Sequence, residues 1–585
     1  MTRRIRTGDF TTQGQIFHLS ALSLIIGAIC AFIAIGLIKI IGFVTNLCFY
    51  HRFSFSFANP TDNHLGGWEV FVPIVGALFV GLIARYGSEK VRGHGIPEAI
   101  EAMLVNDSKV QPRVAFWKPI SAAISIGTGG PFGAEGPIIM TGGSFGSLLS
   151  QLFHLSSIER RILLVAGAAG GMSATFAAPI SSVLFGVELL VFEFKPRSLV
   201  PIALASGMAD AIRVSFLGPG PLFRMPSLQH TSPLLMMVSL AMGLVGSGFA
   251  IVLTWAIYGV EDLFRKLPVH WMWWPAMGAV VIGIGGLVSP RALGVGYNSI
   301  DAMLNVKLAV SVLVSLMLVK SVIWVIALGS GTSGGILAPI LIIGGSFGGF
   351  LGEVLHAPHP GVWALLGMSA IFSGVTRTPL TSVIFPLELT HNLGVLLPLL
   401  IASSVACGLS SFILPRSILT EKIHRRGLHL TREYSVDPLQ MRYARELAYK
   451  PTASVNAAAL VRQLVPTLLK QASGEPWLSV CSEDGQWLGV VHVMGLLRSD
   501  DDGGICTVED CIASVPTVHE MDTVKVALDA MLEPRTGWVR VASANGDLLG
   551  ALTTDSLLQV HRHASQLETE RQRVFDILPN FQRQV

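Results

Sequence analysis

Three segments rich in glycine and proline have the composition of anion-binding helix starts. They are residues 93–97 (Gly-His-Gly-Ile-Pro), 129–137 (Gly-Gly-Pro-Phe-Gly-Ala-Glu-Gly-Pro) and 331–339 (Gly-Thr-Ser-Gly-Gly-Ile-Leu-Ala-Pro), and each precedes an apolar run. Proline suits the first helical turn, and the free N–H groups there carry about half a positive charge. Three such starts pointing at one place would bind a small anion without Lys or Arg, and weakly enough for conduction. The alternative for any single segment is glycine-mediated helix packing.

Glu135 is the residue of these segments with the strongest claim to chemistry. It lies among glycine and proline inside an apolar region, and a carboxylate at membrane depth costs about 2.5–3.5 kcal/mol on insertion scales. One explanation is a partner base, for which Lys118 is available 17 residues earlier. The other is a gate, in which the anionic side chain occupies the anion's own site and leaves when it is protonated.

The elements that position these segments belong to a membrane domain. The chain has 585 residues, of which 51% are hydrophobic and 14% charged, against about 25% charged in an ordinary soluble domain. Charged residues number 41 among the first 420 and 38 among the last 165. This distribution predicts a large membrane part followed by a soluble part, and it excludes a simple soluble enzyme and a single-span receptor. A net charge of +3 without a basic run excludes a nucleic-acid binder.

The apolar stretches indicate broken helices. Several are shorter than the roughly 20 residues that cross a bilayer, and others are interrupted by glycine and proline, which lipid tolerates only where the helix is packed in protein or lines a cavity. The first stretch, about residues 19–49, is too long for a signal peptide. Arg3, Arg4 and Arg6 before it predict a cytoplasmic N-terminus. We expect an integral multi-pass protein of a bacterial inner membrane with both termini in the cytoplasm.

Two sequence blocks are repeated in the same order. Residues 137–146 and 339–348 share the pattern P-x4-GGSFG at an offset of 202 residues, and residues 179–188 and 379–388 share P-x-[ST]-S-V-x-F-x-x-E at an offset of 200. The membrane part is therefore predicted to contain two related halves, roughly 70–215 and 270–415. Transporters built from repeats bind their substrate where the halves meet.

In this order and spacing, the G-x-G-I-P, G-x-E-G-P and G-G-I-x-A-P motifs resemble those of the CLC chloride channels and chloride/proton antiporters. The resemblance implies an all-α polytopic membrane fold with an inverted two-fold repeat, and a parallel homodimer with one pore per subunit. It implies that chloride or a similar anion is bound by the motif backbone, and that Glu135 is the external gating glutamate. The anion-binding residues carried over on these motifs are Gly95, Ile96, Pro97, Ala134, Gly136, Ile336 and Leu337.

Several positions depart from the family pattern. His94 stands where the family usually has a serine that contacts the central anion, Leu337 replaces a phenylalanine, and Leu419 replaces a tyrosine whose hydroxyl also contacts that anion. The central site is therefore expected to be weaker, wider or rebuilt around His94, whose imidazole N–H could replace the serine donor. His94 without a ligand role is the alternative.

The proton pathway of the family is also altered. Leu189 stands where antiporters usually carry the inner glutamate that receives cytoplasmic protons. Glu193 could substitute through water, or it is an interfacial charge beside Lys195 and Arg197. Glu188 and its repeat mate Glu388 are expected to be buried, hydrogen-bonded architectural carboxylates.

The soluble part resembles a tandem of CBS domains. The domain boundaries are predicted as a cytoplasmic segment 1–16, a membrane domain 17–427, CBS-like domains 437–498 and 506–563, and a polar tail 564–585. Each CBS-like domain contains two short strands separated by a turn. The resemblance implies an adenine-nucleotide site at Thr553 and Asp555. Because Ser556 stands where the family pattern has aspartate, the sequence favours a structural or dimerising module over nucleotide binding.

Passive or weakly proton-coupled anion transport is the function that this sequence predicts. A proton-coupled chloride antiporter using Glu193 or water is the first alternative, and a ligand-sensing receptor acting through the CBS tandem is the second. We see no nucleophile–base pair and no metal motif in the membrane part, so neither an enzyme nor a metal site is predicted.

Overall fold

The computed structural model describes residues 15–228, 231–426, 439, 442–464, 477–493, 495–496, 507–512, 515–532 and 536–569. They divide into two compact units, one within residues 12–433 and the other within residues 434–585. Arg3, Arg4 and Arg6, and the tail beyond residue 569, lie outside the described residues. The boundary between the units lies close to the change in charge content near residue 420.

The first unit is helical. Its helices are α1 Gln15–Tyr50, α2 Phe71–Tyr86, α3 Ile96–Val105, α4 Pro112–Gly127, α5 Glu135–Ser150, α6 Ser157–Phe176, α7 Pro179–Phe185, α8 Pro196–Leu217, α9 Pro233–Arg265, α10 Trp274–Val288, α11 Tyr297–Leu304, α12 Val310–Gly329, α13 Leu337–Val354, α14 Pro360–Thr376, α15 Pro379–Thr390, α16 Leu396–Ile413 and α17 Ile418–Arg425. A π-helix, Gly186–Val191, continues α7.

Among the described residues, eight helices are long and apolar enough to cross a membrane, and two further apolar helices are shorter. One of the shorter helices is Pro179–Val191, which contains the first copy of the P-x-[ST]-S-V block, and the other is α14. The predicted all-α polytopic fold with broken helices is confirmed.

The helix order shows the repeat element by element. Helices α3 to α8 and α11 to α16 follow one another with corresponding lengths and breaks, and α2 and α10 precede them. Helix α1 packs on α4, α6 and α8, just as α9 packs on α12, α14 and α16. Each half therefore begins with a long helix, and the repeat extends beyond the 70–215 and 270–415 ranges expected from the motifs.

Glycines bring the central helices of each half into backbone contact. A methyl group added at Gly142 of α5 would lie 2.3 Å from the carbonyl oxygen of Gly167 on α6. One added at Gly344 of α13 would lie 2.4 Å from the carbonyl oxygen of Gly367 on α14. Small residues allow this close approach in membrane proteins. The GGSFG part of the repeated block therefore packs helices closely in both halves.

The second unit contains two small sheets with the same strand order. The strands are β1 Ser454–Asn456, β2 Trp477–Cys481, β3 Trp487–His492, β4 Thr517–His519, β5 Trp538–Ala542 and β6 Leu548–Thr553, and the helices are α18 Ala444–Leu447, α19 Val524–Leu532 and α20 Thr554–Thr569. In each sheet the first strand runs parallel to the second, and the second and third strands form an antiparallel hairpin. Both predicted hairpins are present, and the parallel strands β1 and β4 are three residues long, too short to give a sequence pattern.

Candidate anion-binding site

The second and third glycine segments are joined by a two-residue antiparallel bridge. The N–H of Gly133 donates to the carbonyl oxygen of Gly335 at 3.2 Å, and the N–H of Gly335 donates to that of Gly133 at 2.9 Å. Helix α5 begins two residues after Gly133 and α13 two residues after Gly335. The bridge therefore brings two helix N-termini from different halves to one place, where their free N–H groups would attract an anion.

The first segment joins the same place. The N–H of Gly334 donates to the carbonyl oxygen of Gly93 at 3.4 Å. A methyl group at Gly136 would lie 2.1 Å from the carbonyl oxygen of His94, so the backbones of the first and second segments touch. The three segments expected to converge do so. Their candidate ligand residues are all buried: His94, Gly95, Ile96, Pro97, Ala134, Gly136, Ile336 and Leu337.

The carboxylate of Glu135 lies on the bridge. Its side chain is fully buried, and a methyl group at Gly133 or Gly335 would lie 1.7 or 2.7 Å from Oε2. Only glycine leaves room for the carboxylate at these two positions. Neither carboxylate oxygen has a hydrogen-bond partner among the described residues. The groups that interact with it electrostatically are its own backbone N–H, the backbone N–H of Ala338 at the start of α13, the Lys320 ammonium and the Tyr297 hydroxyl.

Lys118 does not serve as the partner of Glu135. Its Nζ donates to the carbonyl oxygens of Val91 and Gly93, at 2.8 and 2.7 Å, and the carboxylate that acts on its charge is Glu98. Lys118 thus holds the start of the first glycine segment. Its counterpart in the second half, Lys320, is the lysine whose charge faces Glu135.

A third repeat was missed in the sequence, and it consists of a short glycine pattern followed further along the chain by a lysine. Gly93-x-Gly95-Ile96 matches Gly294-x-Gly296-Tyr297 at an offset of 201 residues, and Lys118 matches Lys320 at an offset of 202. Lys320 Nζ donates to the carbonyl oxygens of Ala292 and Gly294, at 2.8 Å each, as Lys118 does to the equivalent carbonyls. The offset shared with the longer blocks was the signal that could have identified it.

The sequence pattern of the family described as "Voltage gated chloride channel" matches residues 75–411, more than half of the chain. This chain is a member of that family, the CLC proteins. It is 30% identical over 379 residues to the "H(+)/Cl(-) exchange transporter ClcA" of Vibrio campbellii, covering 61% of this chain and 80% of the relative. It is 28% identical over 353 residues to the "Putative chloride channel protein ClcB-like" of Ralstonia nicotianae, covering 58% and 82%.

Solved CLC structures share the fold. A slow cyanobacterial Cl⁻/H⁺ antiporter superposes with a TM-score of 0.63 at 21% identity, covering 70% of this chain and 97% of that one. A eukaryotic CLC transporter superposes with a TM-score of 0.57 at 18% identity, covering 92% and 98%. At these identities the likeness establishes the fold.

In this CLC protein, the two departures at the expected central site are both buried. The His94 side chain is 2% exposed, and its Nδ1 lacks a hydrogen-bond partner among the described residues. Leu419 is fully buried near the start of α17, which packs on α3. Leu419 supplies no polar atom there, so His94 is the polar side chain left among the expected central ligands.

A carboxylate that sequence analysis missed ties α3 to α17. The Glu98 side chain is 1% exposed, and Oε1 lies 3.3 Å from Lys422 Nζ and 2.8 Å from Arg426 Nη2. Oε2 accepts a hydrogen bond from the Gly95 N–H at 3.0 Å. Glu98 is three residues after Gly95, the position of a capping-box carboxylate, and that spacing was the available signal. Glu98 thus fixes the first glycine segment and the helix carrying Leu419 to each other.

A cavity of about 460 Å³ opens beside this network. Its lining is strongly charged and reaches Gly331, the first residue of the third glycine segment. Basic side chains outnumber acidic ones in the lining, which includes Lys90, Arg92, Arg265, Lys422, Arg425, Arg426, Glu89, Glu98, Glu101 and Glu261. Such a charged cavity adjoining the glycine segments would concentrate anions near them.

The two positions considered for the inner proton acceptor are Leu189 and Glu193. Leu189 is fully buried in the π-helix and brings no proton-accepting group. Glu193 forms a bidentate pair with Arg197, with Nε–Oε1 and Nη2–Oε2 distances of 2.7 and 3.1 Å, and lies 3.9 Å from Lys195. Glu193 is therefore paired with two basic side chains.

Glu188 and Glu388 cap helices of the opposite half. Glu188 accepts hydrogen bonds from the N–H groups of Leu380 and Thr381 at the start of α15. Glu388 accepts them from the equivalent Ile180 and Ser181 at the start of α7. The exchange is reciprocal, as an approximate two-fold axis requires. Both carboxylates are half-buried rather than buried, because they lie at helix ends.

In the second unit, the expected nucleotide residues line a cavity of about 450 Å³. Thr553 is fully buried with Oγ1 3.2 Å from Ser556 Oγ, and Asp555 accepts a hydrogen bond from Trp477 Nε1 at 2.7 Å. The candidate carboxylate thus already bonds within the protein. No group of three or more His, Cys, Asp or Glu side chains that could hold a metal occurs among the described residues of either unit.

Proposed function

We propose that this CLC protein carries chloride or a similar small anion across the membrane, in exchange for protons, through a pathway gated by Glu135. The observation that carries the proposal is the position of the Glu135 carboxylate. It is fully buried on the Gly133–Gly335 bridge between two helix N-termini, where an anion would bind.

The position of Glu135 gives it two roles. Ionised, its carboxylate occupies the place where the N–H groups of α5 and α13 would hold the transported anion, and so it closes the pathway. Protonated, it loses the attraction of those N–H groups and leaves, which admits the anion. Each opening therefore takes up a proton, which couples anion movement to proton binding.

Proton exchange is supported by the Vibrio relative, whose name is that of an H⁺/Cl⁻ exchange transporter. Passive anion flux is the second candidate, and one observation favours it: Leu189 is buried where the family usually has the inner glutamate. In an exchanger with this sequence, protons from the cytoplasmic side would have to reach Glu135 through water or by way of Glu193.

Purified full-length protein in liposomes distinguishes the two candidates. With a chloride gradient and no pH gradient, an exchanger drives protons against their own electrochemical gradient, and a pH electrode outside the vesicles records it. Chloride flux without proton pumping would support the passive candidate, and no chloride flux at any pH would contradict the proposed function. Glu135→Gln is the control, because it keeps the side-chain volume and cannot carry a proton.

The remaining expectations of the sequence extend this proposal. We propose a homodimer with one pathway in each subunit, in a bacterial inner membrane, with both termini in the cytoplasm. We also propose that the second unit is a CBS-like tandem, which the two sheets of equal strand order support. Because Asp555 is bonded to Trp477, a structural or dimerising role is the better supported one for the tandem.

A further inference from the structure

The two buried lysines of the repeat have the same backbone contacts but different charge partners. Each ammonium bonds to two carbonyl oxygens of the loop before α3 or α11. In the first half, Glu98 acts on the charge of Lys118. The equivalent position in the second half is Ser299, so no carboxylate takes the place of Glu98 beside Lys320. A fully buried ammonium requires compensation.

Glu135 is the carboxylate that acts on Lys320 among the described residues. Lys320 Nζ also lies close to the start of α11, since a methyl group added at Gly296 would be 3.8 Å from it. Its two carbonyl bonds use two of its three donors. The second half thus presents a cation to the gate residue of the first half.

Tyr297 adds a hydroxyl at the same place. The oxygen is buried and has no hydrogen-bond partner among the described residues, as is true of both Glu135 oxygens. The two groups lie close enough to interact electrostatically, although no hydrogen bond joins them in this structure. The Tyr297 ring is held by Phe57, Phe176 and Phe223, with centroid distances of 6.2, 6.1 and 6.1 Å. These rings restrict where the hydroxyl can point.

We propose that Lys320 and Tyr297 stabilise the ionised Glu135 carboxylate in its closed position. The Lys320 ammonium balances the charge of the carboxylate, and the Tyr297 hydroxyl donates a hydrogen bond to it. Both are positioning residues for the ionised, closed gate. When protonated Glu135 leaves, the same two donors face the incoming anion. The inference rests on the proposed function of Glu135. The groups that act on this carboxylate are its own backbone N–H, the backbone N–H of Ala338, Lys320 and Tyr297.

The test is the pH at which chloride flux from liposomes is half-maximal. Lys320→Met removes the cation, so Glu135 protonates more readily, and the midpoint rises by about one pH unit, the low end of what a nearby opposite charge does. Tyr297→Phe removes one donor and raises the midpoint by about half a unit. Lys320→Arg keeps the charge and restores the wild-type midpoint.

Lys118→Met is the matched control for the loss of two buried carbonyl hydrogen bonds from an equivalent helix. Because Lys118 holds the first glycine segment, the flux of this variant is expected to fall, but the pH midpoint stays at the wild-type value. An unchanged midpoint in Lys320→Met, or an equal shift in Lys118→Met, would overturn the inference. If Lys320→Met does not yield folded protein, as judged by gel filtration, Tyr297→Phe decides: a wild-type midpoint overturns the inference. A wild-type protein without chloride flux contradicts the proposed function itself, which separates the two failures.

Discussion

Gly133 and Gly335 hydrogen-bond to each other in both directions, at 3.2 and 2.9 Å, although 202 residues separate them in the chain. This bridge is the joint between the two halves at the candidate site. It brings the N-termini of α5 and α13 together and leaves just enough room for the Glu135 carboxylate.

Gly335→Ala should therefore disrupt the gate. The added methyl group would lie 2.5 Å from the carbonyl oxygen of Gly133 and 2.7 Å from Oε2 of Glu135, so the bridge or the carboxylate must move. We expect chloride flux from liposomes to fall at least about tenfold, the change that about 1.4 kcal/mol produces. Gly207→Ala on α8 is the control because nothing lies within 4 Å of its added methyl group. Wild-type flux with unaltered pH dependence in Gly335→Ala would refute this account of the bridge.

Glu135→Gln should remove the pH dependence of flux. A neutral amide of the same size imitates the protonated carboxylic acid, so the flux should stay constant between pH 4.5 and 8 and proton pumping should cease. The control is Glu193→Gln, which changes the carboxylate at the other candidate proton site. Glu193 pairs with Arg197 in the wild-type protein, and its replacement should leave the pH dependence of flux as it is. If Glu193→Gln abolished proton pumping instead, the proton route through Glu193 would gain support.

Glu98→Gln should destabilise the membrane unit. The Glu98 carboxylate is 1% exposed and binds Lys422, Arg426 and the Gly95 N–H. Removing one partner of a fully buried ion pair costs roughly 3–5 kcal/mol. We expect about 2 kcal/mol here, because the Lys422 and Arg426 side chains are 21% and 35% exposed and water screens them. A thermal-unfolding scan in detergent measures the loss. Glu89→Gln, whose side chain is 68% exposed, should unfold at the wild-type temperature.

His94→Ser combined with Leu419→Tyr should tighten chloride binding. The pair restores the two hydroxyl donors that the family usually has, and a hydrogen bond contributes about 1 kcal/mol net, or about fivefold in Kd. Titration calorimetry on the two single variants and the double variant measures each contribution. If His94→Ser weakens binding, the imidazole of His94 is already a ligand, and the rebuilt-site alternative is supported.

Local sequence patterns were sufficient for the helix starts and for the gate candidate. Proline and glycine at residues 93–97, 129–137 and 331–339 determine where α3, α5 and α13 begin, because these residues allow a helix N-terminus and prevent continuous helix through it. The position of Glu135 at the first residue of α5 follows directly. The two repeated blocks indicated two halves, since each block is a local string that can be compared without knowledge of packing.

Only the tertiary structure decided which charges lie near each other. Lys118 and Lys320 both follow apolar residues and make equivalent backbone contacts, so nothing near Lys118 in the chain revealed that its charge would interact with Glu98 and that of Lys320 with Glu135. The partner of Glu135 came from the other half, 185 residues away, together with the Tyr297 hydroxyl. A buried charge is balanced by whichever group packing brings within a few ångströms, because in a low-dielectric interior distance in space, and not separation along the chain, sets the strength of the interaction.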